Sequence, residues 1–281
     1  MNNKNKILLT SVGLAMLSGI AATSSTFAWF TTTRTASISF SSATVESKQS
    51  NMVLGYVSGN VTNSAGSTAN NLLLTGGNKV TDISGDGINF FKPVWSATEG
   101  LATSINAIPY TVPTDASGFW VEFTVSVQIA GLTAMNVYLG ADTVITPVVD
   151  PVNQAKNDLA VLGSRMSVRV GAAAAAKVIY APDPLNTSHG YLSAASTDPK
   201  DVFSVTGEDD ATKSSIATVV NDFTTLNTNN ITSGGFLTTI AANGTTNLTF
   251  RVWLEGEDSD TINAAIGGIF DIAVDLYALE A

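Results

Sequence analysis

The chain has no cysteine, a single histidine and only 13% charged residues. Without cysteine there is no disulfide, no thiolate nucleophile and no Cys-based metal site, so stability rests on core packing alone. With His189 as the only imidazole, a multi-histidine zinc site is excluded. A Ser–His–acid triad would have to use His189 in the loop Asn186-Thr187-Ser188-His189-Gly190, and no serine-elbow motif accompanies it. Basic residues are also scarce, 13 against 23 acidic, a net charge of −10. Such a surface repels nucleic acid and anionic membrane. Paired carboxylates of the glycosidase kind are selected by geometry, and no pair stands out in the sequence. No Gly-rich phosphate loop is present, and the reading is that the protein is not an enzyme.

Long apolar runs are limited to one, over residues 7–22, preceded by Lys4 and Lys6 and followed by Thr26-Phe27-Ala28. Positive start, apolar core and small residue at the cut define a secretory signal over residues 1–28, removed by a signal peptidase. A retained anchor would need about 20 apolar residues, and Gly13, Ser18, Gly19 and the Ser/Thr cluster at 23–26 shorten this run. A pilin-type continuing helix is opposed by Thr31, Thr32 and Thr33. The expectation is a secreted protein at the cell surface with no membrane span after cleavage. Loss of Lys4 and Lys6 brings the mature charge to 11 basic against 23 acidic, −12.

What is abundant is period-2 alternation, the mark of half-buried strands. Residues 121–129 place Val121, Phe123, Val125, Val127 and Ile129 on one face. Residues 248–254 put Leu248, Phe250, Val252 and Leu254 inward with Arg251 and Trp253 outward. Residues 270–278 place Phe270, Ile272, Val274 and Leu276 inward, with Asp271, Asp275 and Tyr277 outward; 166–170 is a shorter copy. Weaker strands are expected at 51–58, 89–94, 134–139, 143–149 and 177–181. Residues 59–87 and 183–235 read as long polar loops, the second with a possible short helix at 213–226; the alanine run at 172–176 is ambiguous. Many short strands with Gly, Asn, Asp and Pro turns predict an all-β fold, a jelly-roll-like sandwich with long polar insertions, as one domain over residues 29–281.

Two acidic segments are candidates for Ca²⁺. Asp82, Ser84 and Asp86 alternate before Gly87 as in an oxygen-ligand loop, but the twelfth position from Asp82 is Pro93, where a bidentate Glu is needed. A Gly/Asp turn is the simpler reading there. Glu255, Glu257, Asp258 and Asp260 place four carboxylates in six residues, able to hold Ca²⁺ or to stand as a solvated loop. Asn-x-Ser/Thr occurs at Asn60, Asn186, Asn230, Asn243 and Asn247, as expected by chance in so Asn- and Thr-rich a chain.

The start of the mature chain is unusual. Trp29 and Phe30 are followed almost at once by a strand, 34–46, with Ala36, Ile38 and Phe40 on one face and Ser/Thr on the other. The leader, Ala28-Trp29-Phe30-Thr31 and the segment ASISFSSATV at 36–45 resemble the secreted biofilm-fibre subunits of the TasA/camelysin family, whose leaders are cut by a SipW-type signal peptidase. VWLEGED at 252–258 and NAAIGGIFDI at 263–272 resemble surface proteins with the same kind of leader. The resemblance implies a jelly roll that polymerises head to tail with copies of itself by donor-strand exchange, the N-terminal strand of one subunit filling a gap in the next. Camelysin is classed as a metalloprotease; one histidine argues against that activity here. Trp29, Phe30, Ala36, Ile38 and Phe40 are then the polymerisation residues.

The residues themselves allow the same mechanism. A terminal strand is either tucked into its own sheet or given to a neighbour, an open edge is a template for association, and a head-to-tail contact propagates. Both outcomes stay open at this level, as does a monomeric adhesin or carbohydrate-binding sandwich, whose cue would be exposed aromatics among Trp95, Trp120, Trp253 and Tyr277; Trp95 and Trp120 lie beside strands and read as core or edge residues.

Overall fold

The computed structural model describes residues 37–47, 51–76, 79–85, 87–88, 90–93, 110–111, 118–174, 176–182, 218–220, 235–255 and 265–281. In chain order the strands are β1 (Ser37–Ser47), β2 (Met52–Gly59), β3 (Thr62–Asn63), β4 (Asn71–Thr75), β5 (Lys79–Gly85), β6 (Phe90–Pro93), β7 (Tyr110–Thr111), β8 (Trp120–Ile129), β9 (Met135–Leu139) and β10 (Val144–Pro147). Then come one helix among the described residues, α1 (Gln154–Leu162), and β11 (Ser164–Val170), β12 (Val178–Tyr180), β13 (Thr218–Val220), β14 (Phe236–Ile240), β15 (Thr245–Glu255) and β16 (Ile269–Glu280). The protein is an all-β sandwich.

The first layer runs β3, β4, β1, β16, β9, β14, with β10 sharing the β9 side of β16. The second runs β2, β8, β15, β11, β12, β13. Most pairings are antiparallel; β1 with β16, β12 with β13 and β15 with β5 are parallel. The four strongly alternating segments become β8, β11, β15 and β16. Their inward residues, among them Phe123, Val125, Val168, Phe250, Val252, Phe270 and Val274, meet across the sandwich in one core. Phe123 and Phe250 stack at 5.0 Å between ring centroids.

β5 joins the layers, and it corrects the expected loop at 59–87, which also holds β3 and β4. Residues 79–81 pair with β1, 82–83 pair with Leu254 and Glu255 of β15, and 84–85 pair with β6. Changing sheets in mid-strand breaks the period: Val80 enters the main core and Ile83 enters a second cluster. An alternation rule cannot see such a strand. The proposed Asp82–Asp86 loop therefore begins as a β-strand.

The second cluster lies on the outer face of the second layer, where Trp120 and Trp253 face away from Val121 and Val252. Ile83, Phe90, Ala176 and Ile179 complete it. Phe90 stacks on Trp120 at 4.6 Å and meets Trp253 edge-on at 5.1 Å. Arg251 borders it, with its Nε donating to Glu122 Oε2 at 2.6 Å, its Nη1 donating to the Ile88 carbonyl at 2.7 Å, and its guanidinium over both Phe90 and Trp120.

Helix α1 was not foreseen. It has no apolar stripe to read: its buried residues are Ala160, Val161 and the polar Asn157. Asn157 Nδ2 donates to the Val148 carbonyl at 2.7 Å and its Oδ1 accepts from the Ile269 N–H at 2.9 Å, pinning the helix to the start of β16. Within 213–226 the described part is the strand β13, not a helix. Residues 171–172 form a turn after β11.

Candidate assembly site

For the apolar strand expected at 34–46, two outcomes stand open, tucking into its own sheet or donation to a neighbour. In the folded chain β1 lies in the middle of the first layer. On one side it runs parallel to β16, from Ser39 opposite Ile269 to Ser47 opposite Leu276. On the other side it pairs with β5 through residues 37–39 and with β4 through residues 42–46. A strand hydrogen-bonded on both edges contributes two ladders, and its removal would open a slot through the layer.

Phe40 is the anchor, 1% exposed and edge-on to Phe270 with centroids 6.1 Å apart. Ala43 and Val45 are also buried. These are anchors that the alternation of Ala36, Ile38 and Phe40 does not reveal, because the inward positions change from even to odd numbers. The cause is a register shift against β16 between Phe40 and Ser42. One extra residue in a bulge returns Ala43 and Val45 to the core face. The signal for it was the pair Ser41-Ser42 inside an otherwise alternating run. Ser42 Oγ donates to Asp271 Oδ1 at 2.7 Å, a charge-assisted bond across the parallel pair. Ile38 lies in β1 opposite Val80. Trp29, Phe30 and Ala36 lie outside the described residues.

The wall of the slot formed by β16 is itself braced. Asp275, expected on the solvated face, is only 3% exposed. Gly140 packs against it so closely that an added Cβ would stand 2.2 Å from Asp275 Oδ2 and 2.6 Å from the Tyr277 ring. Between β9 and β10 the Thr143 hydroxyl replaces a strand partner, accepting from the Asp275 N–H at 3.1 Å and donating to the Asp275 carbonyl at 3.2 Å.

The two ends of β1 open at opposite poles of the sandwich. At its N-terminal end lie Ile269 and Val148, joined by a Val148 N–H bond to the Ile269 carbonyl at 3.1 Å. At its C-terminal end lie Asn51, whose carbonyl accepts from the Ala130 N–H at 2.7 Å, and the chain end, where the Ala281 N–H reaches the Ala134 carbonyl at 3.1 Å. The loop between β8 and β9 at this second pole carries Leu132, 93% exposed.

The other candidates are not brought together. Glu255 is buried and accepts from the Trp253 indole N–H at 2.9 Å; Glu257, Asp258 and Asp260 lie outside the described residues, as does His189. Among the described residues no three His, Asp or Glu side chains cluster as a metal site, and no helix is long and apolar enough to cross a membrane. Trp120 and Trp253 are buried in the outer cluster and Tyr277 is half-buried, so they form no open aromatic platform; Trp95 lies outside the described residues. Asn60 is built into the sheet edge, donating to the Trp120 carbonyl and accepting from the Glu122 N–H, both at 2.8 Å. Asn243 and Asn247 are exposed.

Among the described residues, Tyr56 and Asp150 are shifted from their usual values. Burial raises the Tyr56 phenol, whose O–H donates to the Val61 carbonyl. The Asn153 side-chain amide and the Val152 N–H hold the Asp150 carboxyl below its ordinary value of 3.8. Neither lies in the slot. No protein-family model, curated protein or solved structure matches the chain.

Proposed function

We propose that the protein is a secreted structural subunit that assembles into extracellular or biofilm filaments through its mature N-terminal region, residues 29–47, by donor-strand exchange within a jelly-roll-type sandwich. The observation that supports it is the place of β1. The first described strand is central in its layer, held on both edges and anchored by Phe40, Ala43 and Val45. A terminal strand is the one kind of element that can leave a sheet without threading or cutting the chain. The slot it leaves has unpaired backbone on both walls and an apolar floor, and it fits an identical strand from another copy. The likeness of the leader and of residues 36–45 to the TasA/camelysin fibre subunits points the same way.

The competing reading, a monomeric sugar-binding module, loses its best residues to the outer cluster, because Trp120 and Trp253 are both buried. The test is to purify the chain beginning at Trp29, with and without residues 29–41, and to follow it by light scattering and negative-stain imaging. Fibres that disappear with the deletion uphold the proposal. A persistent monomer at high concentration, or fibres indifferent to the deletion, refutes it.

A further inference from the structure

The slot that β1 occupies is selective about what enters it, a consequence that rests on the exchange proposed above. Its β16 wall presents Phe270, Asp271, Ile272 and Val274, which meet Phe40, Ser42, Ala43 and Val45 in turn. Phe40, Ala43 and Val45 are each at most 1% exposed, so the core reads these positions. The bulge spaces them by three residues and then by two. An evenly alternating strand cannot match that spacing, because its side chains change face at every residue. Ser42 and Asp271 lie on the other face, half-buried, in the row Thr75, Ser42, Asp271, Thr146 across β4, β1, β16 and β10.

Shifts by two residues keep the faces of an incoming strand and are the errors such a slot must reject. With the bulge in place, a shift one way sets Ser42 opposite Phe270 and Ser47 opposite Val274, which puts hydroxyls where the core holds a ring and a valine. The shift the other way sets Ile38 opposite Phe270, so the aromatic site keeps a large apolar residue. The loss then falls on Asp271, which faces Phe40 in place of a hydroxyl donor. In the native register the Ser42 Oγ donates to Asp271 Oδ1 at 2.7 Å, a charge-assisted bond. We infer that Asp271 is the specificity-determining residue of the slot: it reads the hydroxyl beside the bulge, fixes the register, and restricts the incoming strand to β1 of a second copy. A strand with a carboxylate at that place is rejected by like charge.

The Ser42–Asp271 bond forms both in the closed subunit and across an exchanged junction, so its loss from every copy leaves the balance between them unchanged. The test therefore mixes two chains, each beginning at Trp29, one with Ser42→Asp and the other with Asp271→Ser. Each is mismatched within itself, carboxylate facing carboxylate in the first and hydroxyl facing hydroxyl in the second. Strands exchanged between the two set a hydroxyl against a carboxylate at every junction. Sedimentation should find fibres from the mixture at about one-tenth of the concentration that the unaltered chain or either variant alone requires, the equivalent of one charge-assisted hydrogen bond. The pellet should hold the two chains in equal amounts even from unequal input. A mixture no better than its parts, or a pellet that follows the input ratio, overturns the inference. If deletion of residues 29–41 still abolishes the fibres of the unaltered chain, exchange stands and the role of Asp271 alone falls; fibres indifferent to that deletion strike the exchange itself. Should Ser42→Asp not fold, Ser42→Val mixed with Asp271→Val repeats the design without added charge and is read by the same outcomes.

Discussion

Replacing Phe40 by alanine removes the ring that seats β1 in its sheet. The side chain is 1% exposed and meets Phe270 edge-on. Buried Phe→Ala changes cost about 3–5 kcal/mol, of which an aromatic pair accounts for about 0.5–1.5 kcal/mol. The strand is terminal and bulged at the next residue, so the site can partly collapse, which favours the lower end, about 3 kcal/mol. For a chain of this size each kcal/mol lowers the melting temperature by about 2–4 °C. The expected fall is therefore roughly 6–12 °C in calorimetry of the chain beginning at Trp29, at a concentration where it is monomeric. Leu132→Ala, at a side chain 93% exposed, serves as the control and should stay within about 0.5 kcal/mol. A Phe40→Ala loss below about 1 kcal/mol would mean that β1 does not occupy the slot in solution, and the exchange argument would fall with it. The same burial makes an acidic residue at position 40 a poor probe of assembly, since it would unseat the strand within its own subunit.

Four further outcomes are expected. Gly140→Ala should lower stability by about 2–4 kcal/mol, because the new Cβ collides with Asp275 and Tyr277; a neutral result in chemical denaturation would show that the β16 wall is not braced there. Arg251→Ala should cost about 2 kcal/mol through the lost bonds to Glu122 and the Ile88 carbonyl, and no loss in the same assay would contradict the packing of the outer cluster. The fold favours the charged form of Asp150, so its contribution is present above the ordinary carboxylate value and disappears as pH falls through its lowered folded value. An NMR titration should place its midpoint below 3.8, and a midpoint at or above that value refutes the loop geometry. With Trp29→Phe and Trp95→Phe in place, the emission of the remaining Trp120 and Trp253 should not respond to added oligosaccharides, because both are enclosed; saturable quenching would revive the binding-module reading.

The strands that pack on one face only were legible from alternation: β8, β11, β15 and β16 lie where the period-2 runs are. Elements that serve two environments were not. β5 changes sheets between Val80 and Ile83, β1 shifts phase at its bulge, and α1 is held by the hydrogen bonds of Asn157 rather than by an apolar stripe. Asp275 was misplaced for a similar reason: Gly140 brings backbone over a face that the pattern assigns to water. Within β1 the inward position of Phe40 was legible from the alternation, whereas Ala43, Val45 and the Ser42–Asp271 bond needed the bulge to be seen. The β1–β16 pairing joins the first and last described strands, and no local pattern encodes a contact at that separation.

Direct evidence on the central claim would come from a reconstruction, at side-chain resolution, of fibres grown from the chain beginning at Trp29. The account predicts that residues 29–47 of each copy cross the subunit boundary and that their strand pairs with β4 and β16 of the next copy. Fibres in which residues 29–47 touch only their own chain, and other surfaces make the junction, would contradict it.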